Sequence, residues 1–188
     1  MGKWDISKEF EFDYGHRVWT QTLDEKLALT TCTKCRWPHG HRGKVVVHLD
    51  ATELKNDMVM DFVELNWFKK FIDDTIDHKC ILDIHDPILG KFYPILKDFD
   101  GWNPEDVDQA FEYHPSSCHF TIWKDLYSEL SAHEKEVYEG LVFVSFVPTS
   151  ENLSKWLFDI VQDRLKGLAT VSHIEFHETP KSKSVYYG

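Results

Sequence analysis

Three histidines have the spacing expected of metal ligands. His39 and His41 are separated by one residue at the start of an alternating segment, so both side chains project from the same side of a strand. His16 ends an earlier alternating segment, on its apolar side. Three imidazole nitrogens with a fourth position open to water or substrate are the arrangement of catalytic zinc. Since the chain has eleven histidines, the pattern by itself leaves a chance pairing equally open.

Two cysteines precede the histidine pair. Cys32 and Cys35 lack a second Cys-x-x-Cys pair to complete a four-thiolate zinc site. Their context also differs from the strand-to-helix turn of a thioredoxin-like redox pair. A third interpretation is that Cys35 is a nucleophile or base beside the metal, where a nearby cation favours the thiolate.

The sequence pattern predicts two strands early in the chain, which carry the three histidines, and two strands late in the chain. Apolar and polar side chains alternate over residues 8–16, 43–52 and 171–178, and residues 185–187 form a short last strand. If the first two strands pair antiparallel, all three histidines face the same apolar side.

Two helices lie between the strand pairs. Asp61 is expected to cap the first helix, and the second is expected to begin near Thr149 or Ser150 and to end at Gly167. The resulting order, β-β-α-(insertion)-α-β-β, is an α+β pattern.

Residues 84–143 are expected to be a mostly helical insertion rather than a separate domain, so that residues 1–188 form a single domain. Ser131 and Glu134 resemble a capping box. Four apolar residues of the insertion have helical spacing: Phe120, Trp123, Tyr127 and Leu130.

The charge balance and the hydropathy pattern exclude several classes of function. The formal net charge of −11 argues against nucleic-acid binding. No apolar run approaches the roughly 20 residues needed to span a bilayer, and the N-terminus lacks a signal-peptide core. The expected location is therefore cytoplasmic, with reduced cysteines.

Six short motifs occur in order along the chain: Phe12-x-x-x-His16, Cys35-Arg-Trp-Pro-His39-Gly-His41, Val59-Met-Asp61-Phe62, Asp77-His78, Pro148-Thr149-Ser150-Glu151-Asn152 and Glu178-Thr179. Together they resemble the 6-pyruvoyl-tetrahydropterin synthase / 6-carboxy-tetrahydropterin synthase family. The resemblance implies the tunnelling fold (T-fold), a four-stranded antiparallel sheet with two helices on one face. It also implies homo-oligomers, typically hexamers, with active sites between subunits.

The same resemblance implies roles for individual residues. His16, His39 and His41 correspond to the ligands of a zinc ion (Zn2+). Cys35 corresponds to the catalytic general base, and Asp77 with His78 to a proton relay. Glu178 corresponds to the carboxylate that binds the pterin ring, and Thr149, Ser150 and Glu151 lie where the family lines the pterin pocket.

Two of these residues have local patterns that bear on their roles without the family. Asp77 and His78 end an amphipathic segment, which by itself favours a solvated helix end. Glu178 alternates with Ile174 and Phe176 on an apolar side. Because a buried carboxylate without a partner is costly, this position favours ligand binding.

The spacing of the cysteine indicates the branch of the family. Cys35 lies in the position, just ahead of His39, that resembles the carboxy-forming branch. The implied function is a 6-carboxy-5,6,7,8-tetrahydropterin synthase, a zinc-dependent lyase. It converts 7,8-dihydroneopterin triphosphate to 6-carboxytetrahydropterin with release of acetaldehyde and triphosphate, in 7-deazaguanine and queuosine biosynthesis.

Two alternatives stay open. One is a 6-pyruvoyl-forming or dihydroneopterin-cleaving enzyme, and the other is a catalytically silent zinc- and pterin-binding protein. Departures from the family pattern bear on this choice, namely Tyr14 and Gly15 before the first histidine, the lost asparagine after Asp77-His78, and the insertion. Seven basic residues near the motifs are candidates for contacts with the triphosphate: Arg17, Arg36, Arg42, Lys44, Lys79, Lys181 and Lys183.

Overall fold

The structure is a computed structural model that describes residues 2–96 and 104–188. The chain contains both helices and strands, and most of the strand pairs are antiparallel, as in α+β folds. In chain order they are β1 (Trp4–His16), α1 (Glu25–Ala28), β2 (His39–Ala51), α2 (Asn66–Thr75), β3 (Lys79–Asp83), α3 (Leu89–Phe92), α4 (Pro104–Ala110), β4 (Phe111–His114), β5 (His119–Ile122), α5 (Lys124–Glu129), α6 (Ala132–Glu139), β6 (Leu141–Val144), α7 (Ser150–Leu165), β7 (Thr170–Thr179) and β8 (Ser182–Tyr186).

Residue contacts divide the described chain into two compact units. The first unit takes its described residues from 1–14, 41–78 and 150–188, and the second from 15–40 and 79–149. None of the helices in the described ranges combines the length and the low polarity needed to cross a bilayer.

The first unit contains the antiparallel sheet expected from the sequence. Its strands follow the order β1-β2-β7-β8. Strands β1 and β2 run antiparallel. Asp5, near the start of β1, meets His48, near the end of β2, and Glu11 further along β1 meets Arg42 near the start of β2. Strand β2 pairs antiparallel with β7, and β7 with β8.

One side of this sheet packs against the two expected helices. Val47 of β2 is fully buried, and Phe10 of β1 is 4% exposed. The ring of Phe10 meets Phe68 of α2 edge-on, with 5.2 Å between centroids. Phe71 of α2 in turn meets Trp156 of α7 at 6.0 Å. Helices α2 and α7 therefore cover the apolar side, which leaves the polar residues of the strands on the other.

The ends of both helices agree with the sequence signals. The side chain of Asp61 accepts a hydrogen bond from the Val63 amide at 2.9 Å. This cap begins a 3-10 turn over Phe62–Leu65, and α2 follows from Asn66. Helix α7 begins at Ser150. Gly167 follows its end with a φ of 80°, a conformation that glycine adopts without steric cost.

The second unit contains four more strands, in the order β4-β5-β6-β3. Strand β3 runs parallel to β6, and β4 and β5 form an antiparallel hairpin. The rings of Phe111 and Phe143 lie 4.8 Å apart in the core of this unit. Within the described ranges the chain therefore has eight strands, where the sequence predicted four.

The described residues of 84–143 contain more helix than strand, as expected, but the segment is not purely helical. Helices α3 to α6 are present, and Ser131 and Glu134 form the predicted capping box. Phe120, however, lies on strand β5, opposite Phe143 of β6. Its ring packs against Tyr113 of the neighbouring strand at 4.9 Å. Cross-strand packing outweighed the helical spacing of the local sequence. Residues 97–103 of the insertion lie outside the described residues.

Candidate active site

Two of the predicted metal ligands lie together in the second unit. His16 is the last residue of β1 and His39 is the first residue of β2. The centroids of their imidazole rings are 4.6 Å apart, with 47° between the ring planes. His16 is fully buried. The structure therefore brings together two histidines that are 23 positions apart in the sequence, at the ends of their strands.

Hydrogen bonds to the backbone determine which ring nitrogen of each histidine carries the proton. Nδ1 of His16 lies 2.6 Å from the carbonyl oxygen of Pro148, and Nδ1 of His39 lies 2.7 Å from that of Trp37. A carbonyl oxygen only accepts hydrogen bonds, so Nδ1 is the donor in both rings. In each neutral ring Nε2 then carries the lone pair that a metal requires.

The third predicted ligand belongs to the first unit. His41 is the third residue of β2, and strand alternation directs its side chain to the same side as that of His39. Nε2 of His41 lies 3.8 Å from Oε1 of Glu178, and these two side chains are 19% and 26% exposed. A metal-ligand candidate and the predicted pterin-binding carboxylate are thus neighbours within one unit.

A buried tyrosine adjoins this pair. The ring of Tyr14 lies 5.8 Å from that of His41, between centroids. Burial raises the pKa of the Tyr14 hydroxyl, and the negative charge of Glu178 raises it further. The Tyr14 hydroxyl therefore stays uncharged beside Glu178. Ile174 and Phe176 are buried on the same strand as Glu178, as predicted.

Cys35 lies next to the end of β1, where His16 is located. It is half-buried in a 3-10 turn over Lys34–Arg36. Its backbone amide donates to the side-chain oxygen of Gln21 at 3.0 Å, and its carbonyl accepts from the Val18 amide at 2.7 Å. Val18 is two residues after His16, so these bonds tie Cys35 to the chain that leaves the first metal-ligand candidate.

Asp77 and His78 lie after the end of α2 and are tied to β1. The Asp13 amide donates to Oδ1 of Asp77 at 2.9 Å, and the His78 amide donates to the Asp13 carbonyl at 2.7 Å. Nδ1 of His78 is 3.1 Å from the same Asp77 oxygen. The φ of His78 is 60°, a left-handed conformation that is uncommon for residues other than glycine. These bonds hold the pair in place, although the imidazole of His78 is 77% exposed.

The bond to Asp13 also changes the protonation of Asp77. That hydrogen bond is the largest cause of a lowered pKa for the Asp77 carboxyl, and contacts with His78 lower the pKa further. Ionised Asp77 therefore stabilises the folded state above the ordinary carboxyl pKa. This stabilisation is lost as the pH falls through the lowered pKa.

We expect Asp77→Asn to lower the free energy of unfolding by about 1 kcal/mol near neutral pH, because a charge-assisted hydrogen bond becomes an ordinary one. The difference from the wild type should shrink as the pH falls from about 7 to about 2. Urea unfolding across this range measures it. Asp73→Asn is the matched control, since Asp73 lies near the end of α2, four residues before Asp77, and pairs with the exposed Lys69 on the preceding turn. A difference between wild type and Asp77→Asn that does not change with pH would contradict the explanation.

The segment predicted to line the pterin pocket is at the start of α7. The carbonyl of Pro148 accepts from His16, and Thr149 follows it directly. In the first unit, the Ser150 carbonyl accepts from the Ser184 hydroxyl at 2.6 Å. The Glu151 carbonyl accepts from the Ser154 hydroxyl at 2.8 Å. These bonds hold the backbone of the segment in place.

Four of the seven basic residues considered for triphosphate are engaged in ion pairs. Arg17 pairs with Asp86 at 2.8 Å in a buried setting. The pKa of Asp86 is nevertheless raised, because burial outweighs the nearby guanidinium. The other three pairs are Arg42–Glu11, Lys44–Glu9 and Lys183–Glu175. These cations are weaker candidates for binding triphosphate than their positions in the sequence indicated.

Several groups that orient the site were not found from the sequence. The backbone carbonyls of Trp37 and Pro148 could not be identified from the sequence, because every residue has a carbonyl group. Gln21 and Asp13 act through single hydrogen bonds whose partners are distant in sequence. Tyr14 could be noticed in the sequence, because it differs from the small residues that the family shows before the first histidine.

Comparison with known proteins places this geometry in context. A family model described as 6-pyruvoyl tetrahydropterin synthase matches residues 5–188. The 6-carboxy-5,6,7,8-tetrahydropterin synthase of Aquifex aeolicus is 30% identical, over 98% of this chain and 98% of the relative.

Solved structures agree in fold. An uncharacterised protein from Wolinella succinogenes has a TM-score of 0.90 at 40% identity, covering 100% of this chain and 99% of the other. The 6-pyruvoyl tetrahydropterin synthase of Caenorhabditis elegans has a TM-score of 0.55 at 19% identity, covering 100% and 97%. At that identity the likeness concerns the fold alone, and it confirms the predicted tunnelling fold.

Proposed function

Because this chain belongs to the 6-pyruvoyl tetrahydropterin synthase family, we propose that it is a 6-carboxy-5,6,7,8-tetrahydropterin synthase. It converts 7,8-dihydroneopterin triphosphate to 6-carboxytetrahydropterin with release of acetaldehyde and triphosphate, and it serves 7-deazaguanine and queuosine biosynthesis. Family membership makes it a lyase with a pterin substrate. The observation that carries the choice of product is the full-length agreement with the Aquifex aeolicus synthase. The position of Cys35 just ahead of His39 supports the same choice.

The proposed cofactor is a zinc ion held by His16, His39 and His41. Three imidazoles are a donor set that suits zinc. The carbonyl bonds to Nδ1 of His16 and His39 support the proposal, because both rings then present a lone pair on Nε2. Bonds of this kind to the second nitrogen are typical of histidines that bind metal. When bound, zinc supplies Lewis-acid polarisation of the substrate's side-chain oxygens.

The chain's own residues supply proton transfer and binding in this proposal. Cys35 as thiolate removes a proton from the substrate side chain. His78, oriented by Asp77, passes protons onward, and Asp77 is itself held by the Asp13 amide. Glu178 accepts two parallel N–H bonds from the amino-pyrimidine edge of the pterin. Thr149, Ser150 and Glu151 contribute the adjoining wall.

Incubation of the zinc-loaded protein with 7,8-dihydroneopterin triphosphate, followed by mass spectrometry, tests the proposal. Acetaldehyde together with 6-carboxytetrahydropterin is the expected result. A pyruvoyl product would replace the proposal with the pyruvoyl-forming alternative. Bound pterin without any turnover would favour the catalytically silent alternative, against which the presence of Cys35, Asp77 and His78 argues.

We expect Glu178→Gln to raise the KM for the pterin roughly 10- to 100-fold, since a charged acceptor contributes about 1.5–3 kcal/mol. The NH2 group of the glutamine side chain also faces an N–H donor of the pterin ring, so one hydrogen bond is lost. Zinc content should stay unchanged. Steady-state kinetics measure the effect, with Glu175→Gln as the matched control. Glu175 lies on the same strand and bonds to Lys183 and His177. An unchanged KM in Glu178→Gln would remove Glu178 from the pterin site.

The assembly is also part of the proposal. Family membership supports an oligomer, and we propose a homohexamer with active sites shared between subunits, in the cytoplasm, with neither nucleic acid nor membrane as a partner. Light scattering of the purified protein measures the mass against the 22.2 kDa chain. A monomer that turns over substrate would contradict the shared site.

A further inference from the structure

A second group of potential metal ligands lies on three neighbouring strands of the first unit. Asp5 belongs to β1, His48 to β2 and His173 to β7. His48 is seven residues beyond His41 along β2, which is roughly 23 Å at the rise of a strand. The group is therefore separate from the active site proposed above. None of its members has a role in the proposed reaction.

The pairing of the strands explains why these side chains meet. His48 and His173 are directly opposite each other in the β2–β7 ladder. Their rings stack with 3.9 Å between centroids and 17° between planes. Val47 and Ile174, the next pair in the ladder, face the apolar core and are fully buried. Since side chains alternate, the two histidines lie on the side of the sheet away from that core.

The contact between Asp5 and His48 resembles a pair of ligands with a proton in place of a metal ion. Nδ1 of His48 lies 2.9 Å from Oδ1 of Asp5, and Nδ1 of His173 lies 3.0 Å from the Ser172 hydroxyl. One potential ligand atom from each of Asp5, His48 and His173 comes within 4.8 Å of the other two. In a tetrahedral zinc site, ligand nitrogens and oxygens are about 3.3 Å apart. The pair formed by Asp5 and His48 is already near that separation. Because an imidazole binds a metal in the plane of its ring, the His173 ring must turn out of its stack with His48 and move closer.

We propose that Asp5, His48 and His173 form a second metal site, which binds a divalent transition-metal ion of the zinc type. The ion replaces the proton in the hydrogen bond between Nδ1 of His48 and the Asp5 carboxylate, and that proton is released to solvent. A ring nitrogen of His173 is the third ligand. Two imidazoles and a carboxylate suit zinc, nickel or copper rather than calcium or magnesium. The Asp5 side chain is 47% exposed, so the ion has a path from solvent and a water molecule can complete the coordination. A bound ion ties three strands of the first unit together.

The first experiment is zinc stoichiometry after equilibration with zinc chloride and gel filtration. We expect about two zinc ions per chain for the wild type and about one for His48→Gln or His173→Gln. His133→Gln is the matched control and should keep both, because His133 is 97% exposed on α6. One zinc ion per chain in the wild type and in every variant would overturn the proposal.

The second experiment uses the unmodified chain, so it does not depend on the folding of any variant. Crystals equilibrated with zinc chloride are measured at the zinc absorption edge. An anomalous peak about 2.0–2.1 Å from a ring nitrogen of His48 and of His173 is the expected result. A peak beside His16 and His39 alone would overturn the second site and leave the proposed function intact. A peak at the second site alone would support that site and would contradict the proposed zinc site at His16, His39 and His41.

Discussion

Replacing His39 with alanine is expected to remove the zinc ion of the proposed active site and to abolish turnover. The variant loses one of three proposed nitrogen ligands. It also loses the ring whose Nδ1 proton is held by the Trp37 carbonyl. Loss of a group that merely orients a ligand lowers metal affinity about 10- to 100-fold, so loss of the ligand itself should cost more than about 100-fold. Zinc analysis of the purified protein and the acetaldehyde assay measure the two effects.

His133→Ala is the control for His39→Ala, because it deletes an exposed imidazole on α6. It should retain zinc and activity. Added zinc should raise the melting temperature of His39→Ala less than that of the wild type, since the variant lacks the active-site ion. Full zinc occupancy at the active site of His39→Ala would contradict the proposed ligand set, whatever happened to turnover.

Replacing Cys35 with alanine is expected to lower kcat by about 100- to 10,000-fold, the usual contribution of a positioned general base. Zinc content should be unchanged, because Cys35 acts on the substrate and not on the metal. The backbone bonds of Cys35 to Gln21 and Val18 do not involve its side chain, so the turn should keep its conformation. Kinetics and zinc analysis of the same preparation separate the two effects.

Cys32→Ala is a close match for Cys35→Ala. Cys32 is an exposed thiol three residues earlier in the same loop, and its removal should leave kcat within about twofold of the wild type. Loss of zinc from Cys35→Ala would make Cys35 a metal ligand. Equal loss of activity in both variants would show that neither thiol is the base.

The elements of the first unit could be predicted because each has a strong local pattern. The alternation over residues 8–16 and 43–52 reflects strands with one buried side, and Asp61 caps the turn that leads into α2. The second unit was harder. Its strands β4 and β5 have four residues each, too few for alternation to outweigh the helical spacing of Phe120, Trp123 and Tyr127.

The metal-ligand candidates were predictable in part, because strand alternation gives the direction of a side chain. Alternation directed His39 and His41 to one side of β2, and the structure adds the ring contact between His16 and His39. The hydrogen bonds that orient these rings were not predictable. They involve carbonyl groups, whose positions depend on tertiary structure and not on residue type. The bond that Asp13 makes to Asp77 joins residues 64 positions apart.

The hydrogen bond between His16 and Pro148 has a consequence for how the protein matures. The two residues are 132 positions apart, so a nascent chain contains all three histidines of the proposed site long before it contains the carbonyl that orients the first of them. Until Pro148 leaves the ribosome, the imidazole of His16 is free to exchange its two tautomers. Metal capture by a chain still being synthesised should therefore be weaker than capture by the released protein.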